Sequence, residues 1–188
     1  MMEHTDLVFP QGNEEHLVKM AKRLGVRHLI LCYTLKNPLL KERKKEVAIL
    51  AEKTLTTEFA IMVRDQNDIS RAKSFSASIV AVGRHEMFED KRVNYLIDFE
   101  MGRRDDFIHH RNSGLNQVFI AAAKRSDKTL LVNANNLLYG DDHAVTLGRI
   151  MQNNAFFKKY SPNVLVVSGA REPLQMRAPR DLRALLDL

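Results

Sequence analysis

The chain has 188 residues, with a hydrophobic content of 45% and a charged content of 28%, which is typical of one folded globular domain spanning residues 1–188. The longest uninterrupted apolar run, VFIAAA, is far shorter than the ~20 residues that a membrane-spanning helix needs. The first ten residues, MMEHTDLVFP, lack the basic start and apolar stretch of a signal peptide. We therefore expect neither a membrane span nor a signal peptide.

The charge is unevenly distributed and there is a single cysteine. Residues 1–102 carry 16 basic and 15 acidic side chains, whereas residues 103–188 carry 13 and 8. A surplus concentrated in one part of the chain predicts an anionic partner such as nucleic acid or phosphate, although a solvated, slightly basic surface explains a total of +6 equally well. Cys32 cannot form a disulfide within the chain, so we expect a cytoplasmic protein.

Short apolar segments alternate with longer amphipathic ones along the chain. Eight segments are typical of strands that a parallel sheet buries on both faces, at residues 5–9, 28–33, 58–63, 78–82, 95–99, 106–110, 129–133 and 163–168. Six segments are typical of helices, at residues 13–24, 37–55, 67–74, 115–126, 142–159 and 179–187. The first helix should end at Gly25, and the second should begin near Asn37 and Pro38.

Eight strands with helical crossovers predict an α/β fold, and we favour a compact, distorted (β/α)8 TIM-like barrel with parallel strands. An open doubly wound sheet is the second choice. Because such barrels usually have roughly 200 residues or more, the helices after the fourth to sixth strands should be short or missing. The loops that follow the strands of a barrel share one face, where functional residues are expected.

The segment HHRNSGLNQ, residues 109–117, precedes one of the predicted helices. Ser113 or Gly114 is expected to cap this helix, whose first-turn N–H groups would suit a phosphate. Arg111 and Asn116 are candidate RNA contacts at this corner. Lys124, at the far end of the same helix, is another candidate, although a basic residue there also complements the helix dipole.

The segment TLGRIMQNNAFFKKY, residues 146–160, aligns Arg149, Asn153 and two aromatic rings along one line of a helix. Such a set can bind phosphate and stack on a base, which makes Arg149 and Asn153 candidate RNA contacts. The alternative is a buried helix whose Arg and Asn side chains satisfy backbone carbonyl groups.

The segment VLVVSGAREPLQMRAPRDLRAL, residues 164–185, runs from a strand into small residues that allow a ligand to approach the backbone. Arg171 and Arg177 lie in the loop that follows and are the better candidates for anion contact. Arg180 and Arg183 belong to the closing helix, where surface salt bridges explain them adequately.

No catalytic or metal-binding pattern is found in the sequence. Neither a nucleophile elbow nor a phosphate-binding loop occurs. The neighbouring side chains of His109 and His110 would point to opposite faces of a strand and cannot easily bind one metal. We therefore expect this chain to hold no catalytic residue, metal or cofactor of its own.

Three groups of motifs resemble those of ribonuclease P protein component 3, an archaeal family with a counterpart in eukaryotic nuclear ribonuclease P. They occur in the family's order, as RNSGLNQ (111–117), LGRIMQNN (147–154) with KKYSPNVLVVSGA (158–170), and MRAPRDLRAL (176–185). The first half of the chain matches more loosely, through DLVFP at 6–10. The resemblance implies a TIM-like barrel related to the polymerase and histidinol phosphatase group of metal-dependent phosphoesterases.

That group places His-x-His after its first strand and Asp-x-His near the end of the chain. Here Phe9-Pro10-Gln11 and Ser168-Gly169-Ala170 stand in those places. The sequence departs from the family pattern at LLVNANNLL, residues 130–138, where the family more often has a small or serine-containing strand end. No role is therefore predicted for Asn133 or Asn135.

The resemblance implies a non-catalytic subunit that helps a catalytic RNA remove the 5′ leader from precursor tRNA. The implied partners are ribonuclease P RNA, precursor tRNA and a small companion protein, with magnesium held by the RNA of the holoenzyme. Two other functions stay open at this point. One is a metal-dependent phosphoesterase that acts on a small phosphorylated substrate, and the other is a protein-interaction scaffold.

Overall fold

Seven parallel strands form one sheet in the computed structural model, which describes residues 4–101, 106 and 108–187. Each strand pairs with the next one along the chain. They are β1 (Thr5–Val8), β2 (His28–Thr34), β3 (Thr56–Val63), β4 (Ser78–Val82), β5 (Tyr95–Ile97), β6 (Thr129–Asn133) and β7 (Asn163–Val167). This sequential order lacks the reversal of a doubly wound sheet.

The sheet curls into a nearly closed barrel because β7 returns to β1. The chain just after β7 forms a parallel bridge between Val8 and Ala170. The N–H of Phe9 donates to the Ala170 carbonyl at 2.8 Å, and the N–H of Gly169 donates to the Leu7 carbonyl at 3.0 Å. The predicted TIM-like α/β barrel is thus confirmed, with seven strands in place of eight.

Helices connect the strands on the outside of the barrel. They are α1 (Glu14–Arg23), α2 (Leu40–Ile49), α3 (Asp68–Lys73), α4 (His85–Glu89), α5 (Gln117–Arg125), α6 (Ala134–Tyr139), α7 (His143–Tyr160) and α8 (Pro179–Arg183), with 3₁₀ turns at Pro173–Gln175 and Ala184–Leu186. As predicted, Gly25 ends the first helix, with a φ of +76° that glycine adopts without a steric penalty. The helix after the fourth strand is short, as expected, with 5 residues.

Side chains that alternate along each strand divide the core into two layers. The inner layer fills the barrel with apolar side chains, namely Leu7, Ile30, Cys32, Ala60, Val80, Ile97, Leu131 and Val167. The outer layer lies between the strands and the helices and includes Val8, Leu31, Ile61 and Val166. The barrel interior is therefore packed, and the loops at the carboxyl ends of the strands are left to form the functional face.

The strand predicted at residues 106–110 is wrong over the part that the structure describes. Residues 108–110 form bends, and Ile108 is 94% exposed; Phe107 lies outside the described residues. The physical reason is that β5 pairs directly with β6, through Tyr95 opposite Thr129, so the sheet has no place between them for another strand.

Candidate nucleic-acid interface

Helix α7 clamps the loop that contains the first sequence motif. The side chain of Gln152 accepts a hydrogen bond from the N–H of Arg111 at 2.8 Å and donates one to the carbonyl of the same residue at 2.8 Å. It also donates to the Ser113 hydroxyl at 3.2 Å, and the Asn153 amide donates to the Ser113 carbonyl at 3.2 Å. The backbone of this loop is therefore fixed by two neighbouring residues of one helix.

The next residue of α7 holds the last sequence motif. The Asn154 side-chain amide donates to the carbonyl of Leu185 at 2.6 Å, across 31 residues of chain. The three groups of motifs, which are far apart in sequence, consequently meet at this one helix.

Asp106 joins two arginines beneath the same loop. Its carboxylate pairs with the Arg111 guanidinium at 2.7 Å and with the Arg149 Nε at 3.2 Å, and it accepts from the N–H of Asn112 at 2.8 Å. The hydrogen bond from Arg111, followed by that from Asn112, lowers the pKa of Asp106 to about 2. This carboxylate is therefore ionised at neutral pH and serves as a fixed anchor for both arginines.

Two of the predicted RNA contacts lie inside the protein. Arg149 is 6% exposed and Asn153 is 1% exposed. Both donate to backbone carbonyls, Arg149 to Glu100 at 3.0 Å and Asn153 to Ser113, which agrees with the alternative interpretation of a buried helix. In this conformation the two side chains support the loop and do not present themselves to a partner.

Three other candidates lie at the carboxyl end of the barrel. The Arg111 side chain is 47% exposed despite its ion pair. Arg171 is exposed, and its guanidinium makes no hydrogen bond or ion pair with the described residues. The Arg177 guanidinium is partly tied down, because it donates to the carbonyls of Leu174 and Met176 at 2.9 Å and to the Tyr139 hydroxyl at 3.0 Å.

The start of α5 differs from the expectation. Its N-cap is Asn116, whose side chain accepts from the N–H of Phe119 at 2.9 Å. The predicted caps are wrong: Ser113 is buried under α7, and Gly114 precedes the helix with a φ of +82°. Asn116 is exposed, so a partner can still reach its amide group while the carbonyl oxygen caps the helix.

Lys124 lies at the opposite end of the barrel from these arginines. It belongs to the last turn of α5, and its ammonium donates to the carbonyl of Tyr160, the last residue of α7, at 2.7 Å. Both helices run back from the carboxyl face of the sheet, as crossovers between parallel strands must. The structure therefore does not bring Lys124 together with Arg111 and Arg171.

A polar network at the barrel mouth was not predicted from the sequence. The side-chain amides of Asn133 and Asn136 donate to one oxygen of Asp98 at 3.0 and 2.7 Å. Gly169 lies so close that a Cβ there would be 2.0 Å from the Asn133 carbonyl oxygen. The available signal was polar residues at the carboxyl ends of two strands, Asp98 after β5 and Asn133 at the end of β6.

The described part of the chain contains neither a metal-binding cluster nor a membrane-spanning helix. There, no three His, Cys, Asp or Glu side chains lie close enough together to hold a metal ion. No helix in that part is long and apolar enough to cross a membrane.

Comparison with known proteins gives similarity at the level of fold. No family model and no curated protein matches the chain. A chain in the cryo-EM structure of archaeal Ribonuclease P with mature tRNA matches with a TM-score of 0.76 and 23% sequence identity, over 97% of this chain and 81% of that chain. A chain in the X-ray crystal structure of the YdjI aldolase from Escherichia coli K12 matches at a TM-score of 0.41 and 11% identity, over 98% of this chain and 87% of that one. The first match shows that the barrel extends over nearly the whole chain, whereas the second is too distant to add to this.

Proposed function

We propose that this chain is a protein subunit of ribonuclease P that helps the catalytic RNA remove the 5′ leader from precursor tRNA. The observation that carries the proposal is the structural match to a chain of archaeal ribonuclease P, because it covers 97% of this chain at a TM-score of 0.76. The three groups of motifs that resemble ribonuclease P protein component 3 support the same proposal.

The contacts of α7 support the same proposal. Sequence resemblance selects residues 111–117, 147–154 and 176–185, and hydrogen bonds from Gln152, Asn153 and Asn154 join these segments in space. Segments that together form one binding surface are expected to hold one another in place.

The surface that we propose for RNA lies at the carboxyl end of the barrel. Arg111, Arg171 and Arg177 would contact phosphate groups there, since guanidinium groups bind phosphate by paired hydrogen bonds, and the amide of Asn116 would add a polar contact. Lys124 would touch RNA only at a second place, at the other end of the barrel. The buried Arg149 and Asn153 would act indirectly by holding the loop of Arg111.

The proposed partners are ribonuclease P RNA, precursor tRNA and a small companion protein, in the cytoplasm. We assign no catalytic residue and no cofactor to this chain, and the magnesium used in cleavage would belong to the RNA. The buried free thiol of Cys32 suits a reducing compartment.

Precursor-tRNA cleavage by reconstituted ribonuclease P RNA and its companion proteins, with and without this chain, tests the proposal. We expect the chain to raise the cleavage rate or lower the magnesium requirement, while the chain alone cleaves nothing. An unchanged rate at every magnesium concentration would contradict the proposal.

The proposed phosphate contact of Arg171 has a matched control. Arg171→Ala should weaken binding to the RNA complex and reduce the slope of log affinity against log salt by about 0.7–0.9, the effect of one lost phosphate contact. Lys45→Ala removes the same charge from the exposed face of α2 and should leave the slope unchanged. Equal slopes for both variants would remove Arg171 from the interface.

A further inference from the structure

The corner between α6 and α7 exposes an aromatic ring at the carboxyl end of the barrel. Tyr139 is the last residue of α6 and is 50% exposed. Helix α7 begins at His143 and leads to the amino end of β7, so its first turn, and Tyr139 just before it, lie on the carboxyl side of the sheet. Among the described residues, the Tyr139 ring packs against no other aromatic ring.

The hydroxyl group of Tyr139 is held by a guanidinium that is itself fixed. Arg177 donates from Nη2 to this hydroxyl at 3.0 Å and from Nη1 to the carbonyls of Leu174 and Met176 at 2.9 Å. These three hydrogen bonds leave the other N–H groups of the guanidinium without a partner in the described part of the chain. The ring is thus kept in position, and a positive charge with free donors lies at its edge.

A second arginine is attached to the same corner. The backbone N–H of Arg171 donates to the Gln175 side-chain oxygen at 2.8 Å, and that oxygen also accepts from the side-chain amide of Asn135, in α6, at 3.4 Å. The Arg171 guanidinium itself makes no hydrogen bond or ion pair with the described residues. The loop after β7 and helix α6 are therefore joined, and Tyr139 and the two arginines belong to one surface.

Two leucines add exposed apolar area to this surface. Leu138 is 45% exposed and Leu174 is 81% exposed. A surface that bound phosphate groups alone would gain nothing from an exposed ring and exposed leucines. A purely apolar protein partner would leave the free N–H groups of the two arginines without acceptors, which is costly once they are buried. An aromatic ring beside cations is the combination with which proteins bind single-stranded nucleic acid, because bases stack on the ring and phosphates pair with the cations.

We propose that Tyr139 stacks on an unpaired base of the RNA while Arg171 and Arg177 contact the phosphates next to that base. The inference rests on the proposed role in ribonuclease P and adds the class of RNA that this part of the surface recognises, a single-stranded segment. A base-paired helix keeps the faces of its bases inside the stack, so Tyr139 has no face to stack on there. Every base has such a face, so we expect little preference for sequence.

Binding of the full chain to a single-stranded oligoadenylate of about 12 nucleotides, and to an RNA duplex of the same length, tests the stacking. Tyr139→Leu keeps an apolar side chain but removes the ring. It should weaken binding of the oligoadenylate by about fivefold or more, the effect of losing one stacked base, and leave binding of the duplex unchanged. Tyr139→Phe keeps the ring and should bind the oligoadenylate nearly as tightly as the wild type.

The salt dependence of binding separates stacking from charge. Tyr139→Leu should leave the slope of log affinity against log salt unchanged, because it removes no phosphate contact, whereas Arg171→Ala should reduce that slope. Ile49→Ala removes an exposed apolar side chain, 80% exposed, from α2. It should bind both RNAs like the wild type, which controls for the loss of exposed apolar area.

Precursor-tRNA cleavage by reconstituted ribonuclease P, with the wild-type chain or Tyr139→Leu, distinguishes this inference from the proposed function. Equal affinity of wild type and Tyr139→Leu for the oligoadenylate would overturn the stacking even if the wild type stimulates cleavage. No binding of the oligoadenylate by the wild type, or an equal loss of affinity for the duplex in Tyr139→Leu, would overturn it as well. If Tyr139→Leu kept its RNA affinity but bound the companion protein more weakly, the surface would be a protein contact and the stacking would be overturned. Weaker oligoadenylate binding by Tyr139→Leu, without stimulation of cleavage by the wild type, would support the stacking and contradict the role in ribonuclease P.

Discussion

Replacing Asp6 with asparagine should change how the stability of the barrel depends on pH. Asp6 lies at the seam between β1 and β7. Its Oδ1 accepts from the N–H groups of Leu7 at 2.8 Å and Ser168 at 2.6 Å, and its Oδ2 accepts from the Ser168 hydroxyl at 2.7 Å. Burial raises the pKa of Asp6 to about 6, even though the hydrogen bonds from Ser168 and Leu7 lower it.

The sign and size of the effect follow from this pKa. The folded protein holds the Asp6 proton more tightly than the unfolded chain, whose pKa is near the ordinary value of 3.8. The stabilising contribution of protonated Asp6 is therefore fully present below about pH 3.8 and is lost as the pH rises to about 6. A rise of about 2 in pKa corresponds to about 3 kcal/mol of unfolding free energy, at roughly 1.4 kcal/mol per pKa unit.

Urea unfolding of wild type and Asp6→Asn across this range measures the effect. Asparagine keeps the shape of the side chain and can still accept from both N–H groups, but it does not titrate. The free energy of unfolding of the wild type, relative to Asp6→Asn, should fall by about 3 kcal/mol between about pH 4 and about pH 6.5. Asp141→Asn, at an exposed position before α7, should show no such fall.

If the free energy of unfolding of the wild type, relative to Asp6→Asn, rose with increasing pH, a raised pKa of Asp6 in the folded protein would be refuted. Such a rise would mean that the three hydrogen bonds favour the charged carboxylate by more than burial disfavours it, so that the folded-state pKa lies below 3.8. No difference at any pH would mean that the two opposing effects cancel.

Two further predictions concern the loops at the functional face. Gln152→Ala removes three hydrogen bonds from the Arg111 loop. It should lower the free energy of unfolding by about 1–3 kcal/mol and accelerate hydrogen exchange of the Arg111 amide. Gln66→Ala removes one exposed hydrogen bond of 3.2 Å and should do neither, and unchanged exchange in Gln152→Ala would show that Gln152 does not hold the loop. Gly169→Ala places a Cβ 2.0 Å from the side-chain oxygen of Asn133. Its urea midpoint should therefore fall further than that of Gly25→Ala, which has the same backbone penalty but no atom within 4 Å of the new Cβ. Equal midpoints would show that the loops at the carboxyl end of the barrel move to accept the Cβ.

The strands could be predicted from the sequence because a barrel strand is a short apolar run. Seven of the eight expected runs form strands. The run at 106–110 failed because Ile108 is apolar but exposed at 94%, and periodicity cannot tell such a residue from a buried one. For the short helices α4 and α6, of 5 and 6 residues, no residue range was predicted, although a short or missing helix was expected after the fourth strand.

The site was harder to predict because its partners are distant in sequence. A helical wheel places Arg149 and Asn153 on one face of α7 but does not say whether that face meets solvent or a loop. The answer depends on Asp106, 43 residues before Arg149, and on Ser113, 40 residues before Asn153. The network of Asp98 with Asn133 likewise spans 35 residues.

The two most exposed arginines of the proposed interface would bind phosphate in different ways. Arg111 has its backbone fixed by Gln152 and its guanidinium paired with Asp106, so it loses little conformational entropy on binding but must share or leave that carboxylate. An ion pair as exposed as this one is weakened by solvent screening, and a phosphate can therefore compete with it. The Arg171 guanidinium has no such partner in the described structure, so it can bind a phosphate without losing an existing contact. Its side chain must, however, lose conformational entropy when it binds. For Arg111, the entropy saved because Gln152 of α7 already fixes its backbone thus offsets the competition between Asp106 and the phosphate for its guanidinium.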